Sequence, residues 1–246
     1  MSVAQQPERL WGMVIDLDRC TGCQACVVAC QAENNIPINT EEIFHQRRAI
    51  EWIRVERYWE GEFPNVKARY IPVPCMHCEN APCEPVCPVY ATYRTVEGIN
   101  MQVYNRCIGT RYCSANCHWH VRFFNFWEPK WPDSLKEQLN PDVTVRSRGI
   151  MEKCTFCIQR INRAERQAVL GGQTLSDGAF TTACAQACPT RAIVFGDLQD
   201  PNSEVSQMVA NTDRGYKLLA DLGTNPAVTY LKKVDLDAEA ASGGGH

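Results

Sequence analysis

The sequence is short of several things. No stretch of roughly 18 consecutive apolar residues occurs, so no transmembrane helix is expected. Met1 to Trp11 carries Glu8 and Arg9 and no apolar core segment, so no signal peptide is expected either. A partner could still carry an export signal. Charge of neither sign dominates. The 25 Lys and Arg stand against 28 Asp and Glu, a formal net charge of -3, too little for a general nucleic-acid binder. Serine-nucleophile motifs, glycine-rich phosphate loops and paired carboxylates are missing, and Gly171-Gly172 reads as a helix stop. No substrate chemistry is therefore expected in this chain.

Cysteine is abundant: 15 in 246 residues. The odd number excludes a complete set of internal disulfides. With 45% hydrophobic and 22% charged residues the chain is globular and has no need of so many staples. The thiols fall into four groups. Cys20, Cys23, Cys26 and Cys30 form C-x2-C-x2-C-x3-C. Cys75, Cys78, Cys83 and Cys87 form C-x2-C-x4-C-x3-C, followed by Pro88. Cys107, Cys113 and Cys117 would repeat the first spacing if position 110 were cysteine, but it is Thr110. Cys154 and Cys157 are joined after 26 residues by Cys184 and Cys188, followed by Pro189.

Closely spaced thiolates on one loop can hold three corners of an iron–sulfur cube, and the fourth, on the next helical turn, points toward a second cube. Soft thiolates suit zinc as well, but zinc is commonly held by separated C-x2-C pairs in isolated sets of four. Repeated runs of four within a dozen residues favour iron–sulfur, with a zinc scaffold as the alternative.

The repetition extends beyond cysteine. Asp18-Arg19-Cys20-Thr21-Gly22-Cys23 matches Asn105-Arg106-Cys107-Ile108-Gly109-Thr110, so Thr110 replaces a thiol within a repeat. Cys87-Pro88-Val89-Tyr90-Ala91-Thr92 matches Cys188-Pro189-Thr190-Arg191-Ala192-Ile193. The pattern predicts an α+β fold of two bacterial-ferredoxin-like units with crossed ligation, one from 10–34 plus 150–200 and one from 75–131. An insertion at 35–74, a connector at 132–149, a C-terminal extension at 201–237 and a flexible tail at 238–246 complete the chain. Strands are expected at Gly12–Asp18 and around Trp52–Arg57, and a hairpin at Thr92–Val96 with Ile99–Tyr104. Helices are expected at Gln24–Asn34 and Ile158–Leu170.

With these motifs the sequence resembles the four-cluster ferredoxin-type iron–sulfur subunit of the complex iron–sulfur molybdoenzyme family, which includes dimethyl sulfoxide, polysulfide, tetrathionate and nitrate reductases. Within it the nearest likeness is to the iron–sulfur part of alternative complex III. That likeness rests on Asn105–Cys113, on Arg122-Phe123-Phe124-Asn125-Phe126, and on Asn140–Gly149 leading into Glu152-Lys153-Cys154.

The resemblance implies four ligand sets: Cys20, Cys23 and Cys26 with Cys188; Cys154, Cys157 and Cys184 with Cys30; Cys75, Cys78 and Cys83 with Cys117; and Cys87, Cys107 and Cys113 with Thr110 in the fourth place. A threonine hydroxyl is a poor partner for a cube iron. Three 4Fe-4S clusters and one 3Fe-4S cluster are therefore expected, the alternative at the last site being a cube completed by water or another oxygen.

The implied function is single-electron relay between a membrane quinone site and another redox subunit, with no catalytic site in this chain. The complex would be of the alternative complex III type or, as the alternative, a molybdenum-dependent quinone-linked reductase. A free-standing polyferredoxin is a further possibility. The implied partners are a molybdopterin-type large subunit, a polytopic quinone-binding membrane subunit and, in the first case, cytochrome c subunits. The chain would be peripheral on a cytoplasmic membrane, at the periplasmic or alternatively the cytoplasmic face.

Arg19, Arg106 and Lys153, beside cysteine groups, are candidates for compensating cluster charge. The aromatic run His118–Trp131 reads either as a docking surface or as core. His45, His77, His118 and His120 read as structural or surface residues, with His118, where relatives carry proline, as a ligand worth checking.

Overall fold

The computed structural model describes residues 9–234. The tail expected at 238–246 lies outside them. In chain order the elements are β1 (Trp11–Asp16), α1 (Ala25–Glu33), α2 (Glu41–His45), β2 (Ile53–Glu60), β3 (Lys67–Pro74), β4 (Thr92–Arg94), β5 (Asn100–Gln102), α3 (Tyr112–Ala115), β6 (Phe123–Phe124), β7 (Met151–Glu152), α4 (Ile158–Leu170), α5 (Ala183–Gln186), β8 (Ile193–Asp197), α6 (Glu204–Ala210), β9 (Gly215–Tyr216) and β10 (Val228–Leu231). The fold is mixed α+β, with several small sheets.

The largest sheet runs β8-β1-β10-β9, with β1 antiparallel to β8 and parallel to β10. All six residues of β1 are buried. Its alternation does not separate an inner face from a wet one, because both faces are covered. Trp11, Met13 and Ile15 join the main core, while Val14 packs with Val194, Val205 and Leu231 beneath α6. The segment expected to be an extension thus supplies an interior strand, β10.

The stretch from 35 to 74 is dominated by a long hairpin, β2 with β3, paired from Ile53↔Pro74 to Glu60↔Lys67. Its base is buried and its β2 tip is exposed. The expected strand is present and longer, and its partner is an addition. The β4–β5 hairpin turns at Glu97-Gly98, where Gly98 takes φ 82°. The pairing of β6 with β7 ties the aromatic run to the segment before Cys154. α4 ends where Gly171-Gly172 follows, as expected.

The sequence repeats have matching backbones. Gly22 and Gly109 take φ 70° and 72°, and two residues later Gln24 and Arg111 take φ 62° and 63° as they start α1 and α3. Tyr90 and Arg191 both sit at φ 50°, ahead of β4 and β8. Side chains at Gly22 and Gly109 would also collide, the first with the Tyr70 ring and the second with the Gly149 carbonyl oxygen.

Candidate metal centres

All fifteen cysteines are free thiols. Most lie inside the main core, alongside Met13, Trp52, Met76 and Phe156. Three of the expected sets come together. Cys26 is pushed up to about 12 by burial, and then by its neighbours Cys20, Cys188 and Cys23. Cys30 is driven well above the ordinary thiol value by burial, then by Cys154, Cys157 and Cys184. Cys78 is raised by burial, then by Cys75, Cys83 and Cys117. These last four thiols line one enclosed cavity with Asn100, Trp119 and Arg122.

The sets also follow one another in space. Cys184 is influenced by Cys26 of the first set, and Cys154 of the second by Cys75 of the third. Arg122 is influenced by Cys83, then by Cys113, Cys75 and Cys117. The order along the molecule is the Cys20 set, the Cys154 set, the Cys75 set, and then α3, which carries Cys113.

Cys87 and Cys188, each preceding proline, differ from the buried thiols. Burial alone would raise both, but hydrogen bonding holds them below the ordinary value. For Cys87 the donors are the backbone N–H groups of Val89, Ala91 and Thr92. For Cys188 they are the Thr190 hydroxyl and the N–H groups of Ala192, Ile193 and Thr190. The Ala91 and Ala192 N–H groups reach the two sulfurs at 3.1 and 3.2 Å. Cys107 Sγ accepts from the Met151 N–H at 3.3 Å, Cys113 is buried, and Thr110 is exposed.

The donor set fits an iron–sulfur group. Four thiols that line one enclosed cavity can bind as thiolates only with a cation in place of their protons. The Trp119 indole N–H and His77 Nε2 are buried without a hydrogen-bond partner in the protein. His77 Nδ1 accepts from the Asn100 N–H at 3.1 Å, which leaves the ring proton on Nε2 as a donor. Trp119 lines the cavity of the Cys75 set, where a sulfide-rich anion would give its indole N–H an acceptor. Among the described residues no three His, Cys, Asp or Glu side chains close on the position of a single metal ion.

Of the expected charge compensators only Lys153 is internal, with 0% exposure; its ammonium donates to the Asn100 carbonyl and, at 2.5 Å, to the Cys154 carbonyl. Arg19 is exposed and faces Asp16 at 3.6 Å, and Arg106 is exposed after β5. His118, His120 and His45 are exposed, whereas His77 is fully buried and stacks on Phe156 at 3.7 Å. The aromatic run divides. Trp119 is core, while Phe124 and Phe126 are half-buried beneath the Arg111 guanidinium.

Three polar residues near the thiols were not visible as candidates. Asn34, read only as a helix end, donates to Cys30 Sγ at 3.5 Å. Asn100 and buried Arg122 meet at 2.9 Å. No spacing marks such residues, because the contacts that define them cross long stretches of chain.

A family model described as a 4Fe-4S binding domain matches residues 11–32. The iron–sulfur cluster-binding subunit of menaquinone reductase from Nitratidesulfovibrio vulgaris is 46% identical over 228 residues, covering 91% of this chain and 89% of that protein. The Hdr-like menaquinol oxidoreductase iron–sulfur subunit 1 of Archaeoglobus fulgidus is 38% identical, with 92% and 84% covered. The iron–sulfur subunit assigned to a dimethyl sulfoxide reductase in Halobacterium salinarum is also 38% identical, with 90% and 78% covered.

With gathered thiol sets and relatives matched over 78% to 89% of their length, the chain belongs to the iron–sulfur subunits of the complex iron–sulfur molybdoenzyme family. It is an electron-transfer subunit of a larger respiratory oxidoreductase and not its catalytic subunit. No helix among the described residues is long and apolar enough to cross a membrane.

Proposed function

We propose that the chain carries single electrons through four iron–sulfur clusters, between a quinone site in a polytopic membrane partner and a molybdopterin-type large subunit. Cys20, Cys23, Cys26 and Cys188 hold the first 4Fe-4S cluster. Cys30, Cys154, Cys157 and Cys184 hold the second, and Cys75, Cys78, Cys83 and Cys117 the third. Cys87, Cys107 and Cys113, with Thr110 beside them, hold a 3Fe-4S cluster. The two ferredoxin-like units are 10–34 with 150–200, and 75–131. The observation that carries the reading is the gathering of thiols from distant stretches of the chain in one core, with Cys75, Cys78, Cys83 and Cys117 lining one enclosed cavity. A relay needs a file of centres, and crossed ligation by Cys30 and Cys188 binds neighbouring centres into one rigid unit.

The relatives are named as subunits of a menaquinone reductase, a menaquinol oxidoreductase and a dimethyl sulfoxide reductase. They support a quinone-linked reductase type of complex better than the alternative complex III likeness of the short motifs. In this reading the subunit is peripheral and meets the membrane through its partner. Purification under mild detergent tests it. The expected result is co-purification with a membrane subunit and a molybdenum-loaded large subunit. A multiheme cytochrome in place of molybdenum would restore the alternative complex III assignment. A chain isolated with no redox or membrane partner would contradict the proposal.

A further inference from the structure

We propose that Arg122 is the fixed counter-charge of the cluster held by Cys75, Cys78, Cys83 and Cys117, and that it raises the reduction potential of that cluster. The inference rests on the reading that these four thiols hold an iron–sulfur cluster.

Arg122 is 6% exposed and lines the same enclosed cavity as the four thiols. Its guanidinium donates to Thr92 Oγ1 at 3.2 Å, to Gln102 Oε1 at 2.9 Å and to Asn100 Oδ1 at 2.9 Å. All three acceptors are neutral, and all three stand on the β4–β5 hairpin. The carboxylate of Glu84 accepts from Asn100 Nδ2 at 2.5 Å, one group removed from the guanidinium. A buried charge without a counter-ion carries a heavy desolvation penalty.

The other buried arginine makes the contrast. Arg146 is fully buried too, but it has its own carboxylate, Glu152, at 2.8 Å. Arg122 has no direct ion pair among the described residues: Glu84 reaches it only through Asn100, whereas Cys75, Cys78, Cys83 and Cys117 share its cavity. Asn100 holds the arrangement. Its backbone N–H goes to His77, its carbonyl accepts from Lys153, its Oδ1 accepts from Arg122 and its Nδ2 donates to Glu84. Arg122 is thereby fixed on the Cys75 set, while Lys153, which also donates to the Cys154 carbonyl, stands at the neighbouring set.

Reduction brings one electron from the adjacent centre onto the cluster, with no bond made or broken and no proton required. The added negative charge is stabilised by a fixed cation in a low-dielectric interior, so the reduced form gains more than the oxidised form. Arg122 is a positioning and tuning residue, not a ligand.

The test is potentiometric titration, followed by EPR, of the intact complex carrying Arg122→Gln, Arg122→Lys or Gln102→Glu. The last keeps the arginine and its acceptor but places a carboxylate against it. Arg122→Gln and Gln102→Glu are each expected to lower the potential of this cluster by at least tenfold in its reduction equilibrium, about 59 mV for one electron. The other clusters stay in place, and Arg122→Lys stays near the wild-type value. Should Arg122→Gln fail to assemble, Gln102→Glu reads the same effect. An unchanged potential in both charge-altering variants, with the cluster retained, overturns the inference alone. A wild-type complex with no iron at this site overturns the cluster reading and the inference with it.

Discussion

Tyr90 and Arg191 hold the same left-handed backbone conformation, φ 50° each, two residues after Pro88 and Pro189. In each case the residue that follows turns its N–H onto the preceding cysteine sulfur, Ala91 to Cys87 and Ala192 to Cys188. The chain enters β4 from one corner and β8 from the other. A non-glycine residue held in αL costs about 1–3 kcal/mol, and at both corners this conformation brings the N–H onto the sulfur.

Crossed ligation gives the first prediction. Cys188→Ser is expected to remove the cluster of Cys20, Cys23 and Cys26. Cys30→Ser is expected to remove that of Cys154, Cys157 and Cys184. EPR of the two variants should lose different four-iron signals; loss of the same signal from both would contradict the pairing.

The extent of what could be read from the sequence divides by range of contact. α4 was legible to the residue because its apolar spacing is local and Gly171-Gly172 stops it. The cysteine groups could be read from their spacing, and three of the sets that the resemblance implies lie together in the fold. β10 was not, since four residues, Val228–Leu231, form a strand only when parallel β1 receives them. Asn34, Asn100 and Arg122 were not, because each gains its meaning from partners brought close by the fold.

Arg146 and Glu152 give the second prediction. Trp52 Nε1 donates to Glu152 at 2.9 Å, Asn125 Nδ2 donates to its other oxygen, and the Arg146 guanidinium lies over the Trp52 ring at 4.9 Å. Glu152→Gln leaves a buried arginine without a charge partner and should cost about 3–5 kcal/mol. Denaturant titration, read by loss of visible absorbance, checks it. The double change Arg146→Met with Glu152→Leu removes the unpaired charge but strands the Trp52 and Asn125 donors and the Asn34 and Asn35 carbonyls, so it should recover only part of the loss; full recovery would show that these hydrogen bonds contribute little.

At the exposed threonine, Thr110→Cys completes the C-x2-C-x2-C-x3-C run. The expected outcome is loss of the three-iron EPR signal from the oxidised protein, a gain of iron, and a lower potential at that site. An unchanged spectrum would place the three-iron centre elsewhere.

Glu33 supplies a pH test. Burial alone would raise its carboxyl, but hydrogen bonds from Arg160, at 2.6 Å, and Gln159, at 2.8 Å, hold it below its ordinary 4.5. The unfolded chain therefore binds the proton first as pH falls. The stabilisation is complete above 4.5 and disappears as pH drops through the lower folded value. Glu33→Gln should be less stable than wild type at neutral pH, and the gap should close on acidification. A gap that stays constant from neutral pH to acid would contradict the assignment.

A file of four iron–sulfur centres in one chain has a signature in redox-poised EPR of the intact complex, with iron and acid-labile sulfide measured on the same sample. A three-iron signal is expected in the oxidised state and three four-iron centres on stepwise reduction, with signals broadened by interaction between neighbours. A sample free of labile sulfide and silent in both states would contradict it.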